Sequence, residues 1–146
     1  MSQENIEIAR RAWEVFLEGV ERGNFAALFD AGLYAPSATL VPTQEGSGAK
    51  TYVGRDGYVE WVRTWIEDFR DWRIWPEKII DAGDDRVVAS ARQTPIGKAS
   101  GVPVEQRFGI VFTFRSGQVI EQRHYIDPEE EALEAVGLSE QDAHAD

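Results

Sequence analysis

The sequence predicts an α+β fold in which a curved, mostly antiparallel sheet forms a cone and N-terminal helices cover its concave face. The first observation is residues 102–127, where two strand-like runs flank Ser116 and Gly117. Alternate positions of the first run are almost all apolar, which is typical of a strand with one buried face. The second observation is helical periodicity in residues 4–22 and 58–69, which supplies apolar faces to cover the sheet.

Two helices are predicted near the N-terminus. Apolar residues recur three and four positions apart through residues 4–22, which indicates one buried stripe. The stripe consists of Ile6, Ala9, Trp13, Phe16, Leu17 and Val20. Gly23 is placed to end this helix, because glycine adopts the left-handed conformation of a helix C-terminus at low cost. Asn24 is a suitable cap for a shorter helix over residues 25–30.

The middle of the chain mixes an extended segment, a loop and a third helix. Pro36 and Pro42 cannot donate to a strand ladder, so residues 34–42 are predicted to be short or at a sheet edge. Residues 43–54 are rich in glycine and form either a lid over a cavity or a plain loop. Asp56 is the expected cap of the third helix. The apolar face of that helix consists of Tyr58, Trp61, Val62, Trp65 and Phe69.

The C-terminal half is predicted to be mainly sheet. Strands over residues 72–82 and 86–98 flank a turn at residues 83–85, and the hairpin described above follows. A last short helix begins near Asp127 and ends at Gly137. Residues 1–138 are therefore expected to form one domain, with residues 139–146 as a frayed tail.

Composition excludes several classes of function. A net charge of −11 opposes binding to nucleic-acid phosphates. The chain has no cysteine, and one of its two histidines, His144, lies in the tail, so we expect no metal site and no cofactor. No apolar run approaches the length of a membrane span, and the polar N-terminus does not resemble a signal peptide. We therefore expect a cytoplasmic protein that binds neither nucleic acid nor membrane.

Four short segments resemble a known superfamily. They are residues 22–25 (RGNF), 34–40 (YAPSATL), 54–57 (GRDG) and 116–127 (SGQVIEQRHYID). Together they resemble the nuclear transport factor 2-like, or cystatin-like, α+β cone, and most closely its SnoaL-like group, which includes polyketide cyclases. The superfamily holds enzymes, binding proteins and scaffolds, so this resemblance implies the fold and leaves the activity open. It also implies a homodimer formed through the outer face of the sheet.

The resemblance also allows two known chemistries of the superfamily to be compared. Ketosteroid-isomerase-like members carry a base Asp, a Tyr and an acid Asp where this chain has Pro42, Phe16 and Ile110, so their proton shuttle is not expected here.

Members similar to limonene-epoxide hydrolase hold a water with an Asp-Arg-Asp set. The matching positions here are His124, Ala91 and Gln93, so the carboxylate and guanidinium groups are missing.

His124 and Gln93 are the candidate catalytic residues. Imidazole has a pKa suited to proton transfer near neutral pH, and the amide of Gln93 is suited to orienting a water or a substrate oxygen. The alternative is that His124 only forms a hydrogen bond at the cavity wall and takes no part in chemistry. Aromatic side chains are predicted to line the cavity over the small residues Ala89 and Ala91 and to bind the ligand. They are Phe16, Tyr34, Trp61, Trp65, Phe108 and Phe112.

Two interpretations remain open from the sequence. In the first, the protein binds a small, mostly apolar organic molecule and acts as an isomerase, cyclase or hydrolase, with His124 as the acid or base. In the second, the same domain is a non-catalytic small-molecule binder or a dimeric scaffold. The missing carboxylates weigh against the better-known chemistries, so whether the protein is an enzyme is left open.

Overall fold

Helices precede most of the strands in the chain, as the sequence predicts. A computed structural model describes residues 2–42, 51–70, 74–93, 96–97 and 106–126. The helices are α1 (Ser2–Arg22), α2 (Ala27–Asp30) and α3 (Gly54–Asp68). The strands are β1 (Tyr34–Val41), β2 (Tyr52–Val53), β3 (Phe69–Arg70), β4 (Ile74–Gly83), β5 (Arg86–Gln93), β6 (Ile96–Gly97), β7 (Gln106–Arg115) and β8 (Gln118–Ile126).

Six of these strands form one mixed sheet in the order β2-β1-β8-β7-β5-β4. Every neighbouring pair is antiparallel except β1 and β8, which run parallel. The short strands β3 and β6 form a separate two-stranded sheet. The predicted α+β architecture with a mostly antiparallel sheet is confirmed.

The central hairpin forms at the predicted turn. Ser116 and Gly117 both have positive φ angles, 52° and 77°, which is the conformation of a two-residue type I′ turn. This turn matches the right-handed twist of β7 and β8 and therefore fixes their register. Ile110 lies opposite His124, and Phe112 lies opposite Gln122.

Strand β1 differs from its predicted position. It lies between β2 and β8 rather than at an edge of the sheet. Its register against β8 shifts between Tyr34 and Thr39, the interval that contains Pro36. A proline removes one ladder donor, and an irregularity of this kind accommodates the missing bond inside a sheet.

The connection from α1 to α2 is held by backbone hydrogen bonds. Gly23 has a φ of 76°, and its N–H donates to Val20 O at 3.3 Å. The N–H of Asn24 donates to Gly19 O at 2.8 Å, which completes a Schellman motif. Asn24 is not the cap of α2 as predicted: the N-cap residue is Ala26, which makes no side-chain cap hydrogen bond, and Oδ1 of Asn24 accepts from the N–H of Ala26 just before the helix.

Helix α3 begins two residues before its predicted cap. Gly54, with a φ of 71°, is its first residue, so Asp56 lies inside the first turn and is not the cap. Tyr58 and Val62 are buried on the predicted face. The helix ends at Asp68, and Phe69 belongs to β3 instead of the helix face.

The main core lies between the helices and the concave face of the sheet. Helix α1 packs against β4 and β5, whereas α3 packs against β1. Fully buried residues on the sheet side include Val87, Ala89 and Ala91 of β5, and these join one apolar cluster with α1 and α3. The predicted covering of the concave face by helices is confirmed.

Two predicted segments lie outside the described residues. These are the loop over residues 43–50 and the last helix and tail over residues 127–146. Among the helices that the structure describes, none is both long and apolar enough to cross a membrane.

Candidate functional site

Strand β8 carries two polar side chains onto the apolar concave face. Alternation along the strand places Gln122 and His124 on the same side, opposite Phe112 and Ile110 of β7. The side-chain amide of Gln122 lies 2.7 Å from Nε2 of His124. The hydroxyl of Tyr34, on β1, donates to Oε1 of Gln122. A polar chain of three side chains therefore crosses the parallel pair β1–β8.

The orientation of the Gln122 amide is linked to the tautomer of His124. With Oε1 accepting from Tyr34, the NH₂ group faces the imidazole and donates to Nε2, which places the ring proton of the neutral imidazole on Nδ1. The reversed amide would accept from a protonated Nε2 and donate to the hydroxyl oxygen of Tyr34, so each amide orientation corresponds to one tautomer.

Aromatic rings surround this polar chain. Trp61 of α3 meets the imidazole of His124 edge-on, with ring centroids 5.3 Å apart. Tyr58, one helical turn before Trp61, lies 5.7 Å from the ring of Tyr34 and 6.0 Å from that of Trp61. Phe29 of α2 lies 5.5 Å from Tyr34. The polar groups are few and convergent within an apolar surround, which is typical of small-molecule sites.

Burial controls the ionisation of these groups. It lowers the pKa of His124 to about 3, so the imidazole is neutral at neutral pH. The residue as a whole is half-buried, because part of it still reaches solvent. Burial also raises the pKa of Tyr34 and of Tyr58. For Tyr58, hydrogen bonds with Gln122 and Tyr34 oppose the rise, but burial is the larger effect.

Gln93 does not lie beside His124. Ile110 pairs with His124 on one side and with Ala89 on the other, so the row of His124 crosses β5 at Ala89. Gln93 is four residues further along β5, and two strand spacings separate β5 from β8. Strand geometry therefore puts the two Cα atoms about 16 Å apart. The amide that contacts His124 is that of Gln122.

The predicted aromatic lining is only partly described. Tyr34, Phe16 and Phe112 are buried in the main apolar cluster, and Trp61 packs against it while partly buried. The backbone register places Phe108 opposite Ala91. The side chains of Trp65, Phe108 and Gln93 lie outside what the structure describes.

Three members of the polar and aromatic network, Gln122, Tyr58 and Phe29, were not singled out from the sequence. Gln122 shares the face of His124, two residues away, and this alternation was the available signal. Tyr58 carried no such signal, because an aromatic residue on an amphipathic helix is usually a core residue. Its contact with Tyr34 depends on how α3 crosses β1.

A surface depression of about 410 Å³ lies elsewhere, on the solvent side of α3. Its lining residues are Arg55, Asp56, Val59, Glu60, Arg63 and Thr64. Five of the six are exposed, and none belongs to the polar chain or to its aromatic surround. This depression is therefore separate from the candidate site.

Comparison with solved structures identifies similar folds. A protein named as a SnoaL-like polyketide cyclase from Jannaschia sp. CCS1 is 21% identical, with a TM-score of 0.71 over 86% of this chain and 87% of the other. An NTF2-like protein of unknown function from Burkholderia pseudomallei K96243 is 18% identical, with a TM-score of 0.70 over 92% and 98%. TerC, co-crystallised with polyporic acid, is 20% identical, with a TM-score of 0.67 over 85% and 92%. At these identities the likeness shows the fold alone.

No curated protein matches the sequence. The model of the SnoaL-like domain family matches residues 13–122, which is well over half of the chain. That match includes the C-terminal part of α1 and all of α2 and α3, and it ends at Gln122. The chain therefore belongs to the SnoaL-like domain family.

Proposed function

We propose that this protein binds a small, mostly apolar organic molecule on the concave side of its sheet, against Trp61 and His124. The observation that carries the proposal is the Tyr34–Gln122–His124 hydrogen-bonded chain set among aromatic rings. A buried polar chain specifies one orientation for a bound molecule, while the rings supply apolar contact area. Family membership and the TerC complex with polyporic acid support the same class of ligand.

The role of His124 is a hydrogen-bonding one in this proposal. A general base near neutral pH needs an available lone pair and a pKa close to the working pH. Here Nε2 already accepts from Gln122, and burial lowers the pKa of the ring to about 3. Both observations favour the non-catalytic binding interpretation over His124 as a general base.

Catalysis by an isomerase, cyclase or hydrolase is the second candidate function. Its support is the likeness in fold to the protein named as a polyketide cyclase. It requires His124 to exchange a proton with the substrate, and the Gln122 amide would then have to release Nε2. Gln122 takes the positioning role first assigned to Gln93, because its amide contacts the imidazole.

The test is calorimetric titration of the protein with 2,5-diphenyl-1,4-benzoquinone, a neutral compound with the ring skeleton of polyporic acid. We expect binding to the wild type, and at least tenfold weaker binding to Trp61→Ala and to His124→Leu. Trp75→Ala is the matched control, because Trp75 is 38% exposed on the outer face of the sheet. Equal affinity of all four proteins would overturn the proposed location of the site, and no binding to any would remove this ligand class.

Catalysis is tested by following chemical conversion of the same compound by the wild type and by His124→Ala. An enzyme predicts that His124→Ala abolishes turnover while binding persists. A binding protein predicts that the wild type returns the compound unchanged.

We also propose that the protein is a cytoplasmic homodimer that uses the outer sheet face. Val88 and Val111 form a small outer cluster with Ile80, but both valines are buried within one protomer. Among the described residues of the same face, Trp75 is a large apolar side chain that stays exposed and could contact a partner protomer. Light scattering should show a dimer for the wild type and for Val53→Glu on the edge strand, and a monomer for Trp75→Glu. A monomeric wild type would refute the dimer.

A further inference from the structure

The indole N–H of Trp13 is a buried hydrogen-bond donor that has no acceptor. Trp13 lies on α1 and is 7% exposed. Within the described part of the chain, its Nε1 has no hydrogen-bond acceptor. A buried tryptophan N–H usually finds a partner, because an unpaired donor has lost its hydrogen bond to water on folding. An unpaired donor in a family of ligand-binding folds therefore needs an explanation.

Trp13 belongs to the same concave cluster as the candidate site. Edge-on ring contacts link it to Phe16 at 6.4 Å and Phe16 to Tyr58 at 6.4 Å. The series continues from Tyr58 through Trp61 to His124, at 6.0 Å and 5.3 Å. The donor of Trp13 and the Gln122–His124 pair therefore lie at the two ends of one aromatic series.

The charge of the interior limits what this donor can bind. Among the described residues, the buried polar side chains are Asn5, Ser90 and Gln122, and none of them is a lysine or arginine. A carboxylate or phosphate would have no counter-charge there, and burying an unpaired charge is very unfavourable. A neutral oxygen, as in a ketone, quinone or ether, needs only one donor.

We propose that the indole N–H of Trp13 is a second polar recognition point for the ligand and donates to a neutral acceptor oxygen on it. This inference rests on the proposed function and narrows its ligand class to neutral, oxygenated ring compounds. Trp13 fixes the position of that oxygen within the aromatic cluster. A purely structural role would be met as well by phenylalanine, which leaves no donor unpaired.

The experiment compares 1-tetralone with tetralin, which share a two-ring skeleton and differ in one ketone oxygen. Calorimetry or competition binding gives the ratio of the two affinities for each protein. We expect the wild type to prefer the ketone by about tenfold, the usual effect of one added hydrogen bond. In Trp13→Phe the ratio should fall to about one, with the affinity for tetralin little changed. Trp75→Phe, on the outer face, should keep the wild-type ratio.

A second measurement avoids any dependence on the folding of the variant. In ¹H–¹⁵N spectra of the wild type, the Trp13 indole proton should move downfield with 1-tetralone and stay in place with tetralin. The other four tryptophans provide internal references.

Each remaining outcome has a definite meaning. A ketone preference that persists in Trp13→Phe overturns the inference, because another group then binds the oxygen. Equal affinity of the wild type for both compounds overturns the inference about Trp13 and leaves the proposed function standing. If neither compound binds the wild type, the proposed ligand class and the inference fail together.

Discussion

Nε2 of His124 accepts a hydrogen bond from the side-chain amide of Gln122 at 2.7 Å, two residues earlier on the same strand. The oxygen of the same amide accepts from the hydroxyl of Tyr34 on β1. One glutamine therefore couples the tautomer of the imidazole to its own orientation and links β8 to β1. The following predictions test this arrangement and the turns that support it.

The tautomer of His124 is directly measurable. We expect the Nδ1–H form at pH 7, because Nε2 accepts from Gln122. Long-range ¹H–¹⁵N correlation spectra distinguish a protonated ring nitrogen from an unprotonated one. Gln122→Met should remove this preference, whereas a wild-type ring protonated on Nε2 would contradict the assigned direction.

Gln122→Met should lower the free energy of unfolding by about 1–3 kcal/mol, because it removes one hydrogen-bond partner from the hydroxyl of Tyr34 and one from Nε2 of His124. Urea denaturation measures the loss. Tyr34→Phe removes the hydroxyl that loses its Gln122 partner, so the double variant should be more stable than the sum of the two single losses predicts. Strict additivity would show that the two side chains do not interact.

Stability should depend on the ionisation of His124. Its pKa is lowered from 6.5 in the unfolded chain to about 3 in the folded one, so the unfolded state binds more protons between these values. The contribution is full above pH 6.5 and is lost as the pH falls, by at most about 1.4 kcal/mol per pH unit.

The measurement compares wild type with His124→Gln by urea denaturation from pH 7 to pH 4. As the pH falls, the unfolding free energy of the wild type should decrease more than that of His124→Gln. His144→Gln is the control for the other histidine. A difference that does not change with pH would show that His124 titrates alike in both states.

Gly19→Ala should destabilise the protein, although alanine is the better helix former by about 1 kcal/mol. A Cβ atom at Gly19 would lie 2.5 Å from the backbone oxygen of Asn24 and 2.9 Å from Cβ of Ala27. We expect a net loss of about 1–3 kcal/mol in thermal or urea unfolding. Gly57→Ala, whose nearest contact is 3.2 Å, is the matched control and should lose less.

Ser116→Asn should stabilise the protein by about 0.5–1 kcal/mol. Ser116 has a φ of 52° at the first position of the type I′ turn, where asparagine followed by glycine is strongly preferred. Ser116→Val is the opposing variant, since a β-branched residue is strained at positive φ. If both variants unfold at the wild-type midpoint, the turn conformation does not limit stability.

Local patterns predicted the elements well. The alternation in β7 and β8, the turn at Ser116 and the helix end at Gly23 all follow from residues close together in the chain. The prediction that residues 34–42 would be short or at a sheet edge was wrong, because the strand has eight residues and its place between β2 and β8 depends on parallel pairing with residues some 80 positions later.

The candidate site likewise depends on contacts between residues that are distant in sequence. His124 and Gln122 share a face by simple alternation, but the pairing of His124 with Gln93 required the register across β7, which no local pattern supplies. Tyr34 and Gln122 are separated by 88 positions in the sequence, and only the assembled sheet brings them together. The orphan N–H of Trp13 could not be inferred either, because a tryptophan on an apolar stripe looks the same with or without an acceptor.

The position of β8 has a consequence for synthesis of the chain. The last strand of the main sheet is inserted between its first strands and its hairpins, with β1 on one side and β7 on the other. Until β8 leaves the ribosome, the sheet exists as two unjoined blocks, each with an unpaired edge that is open to wrong partners. Contacts this distant in sequence also form slowly. The main sheet is therefore completed only after β8 has been synthesised, when this one late strand joins the two blocks and assembles the polar chain in the same step.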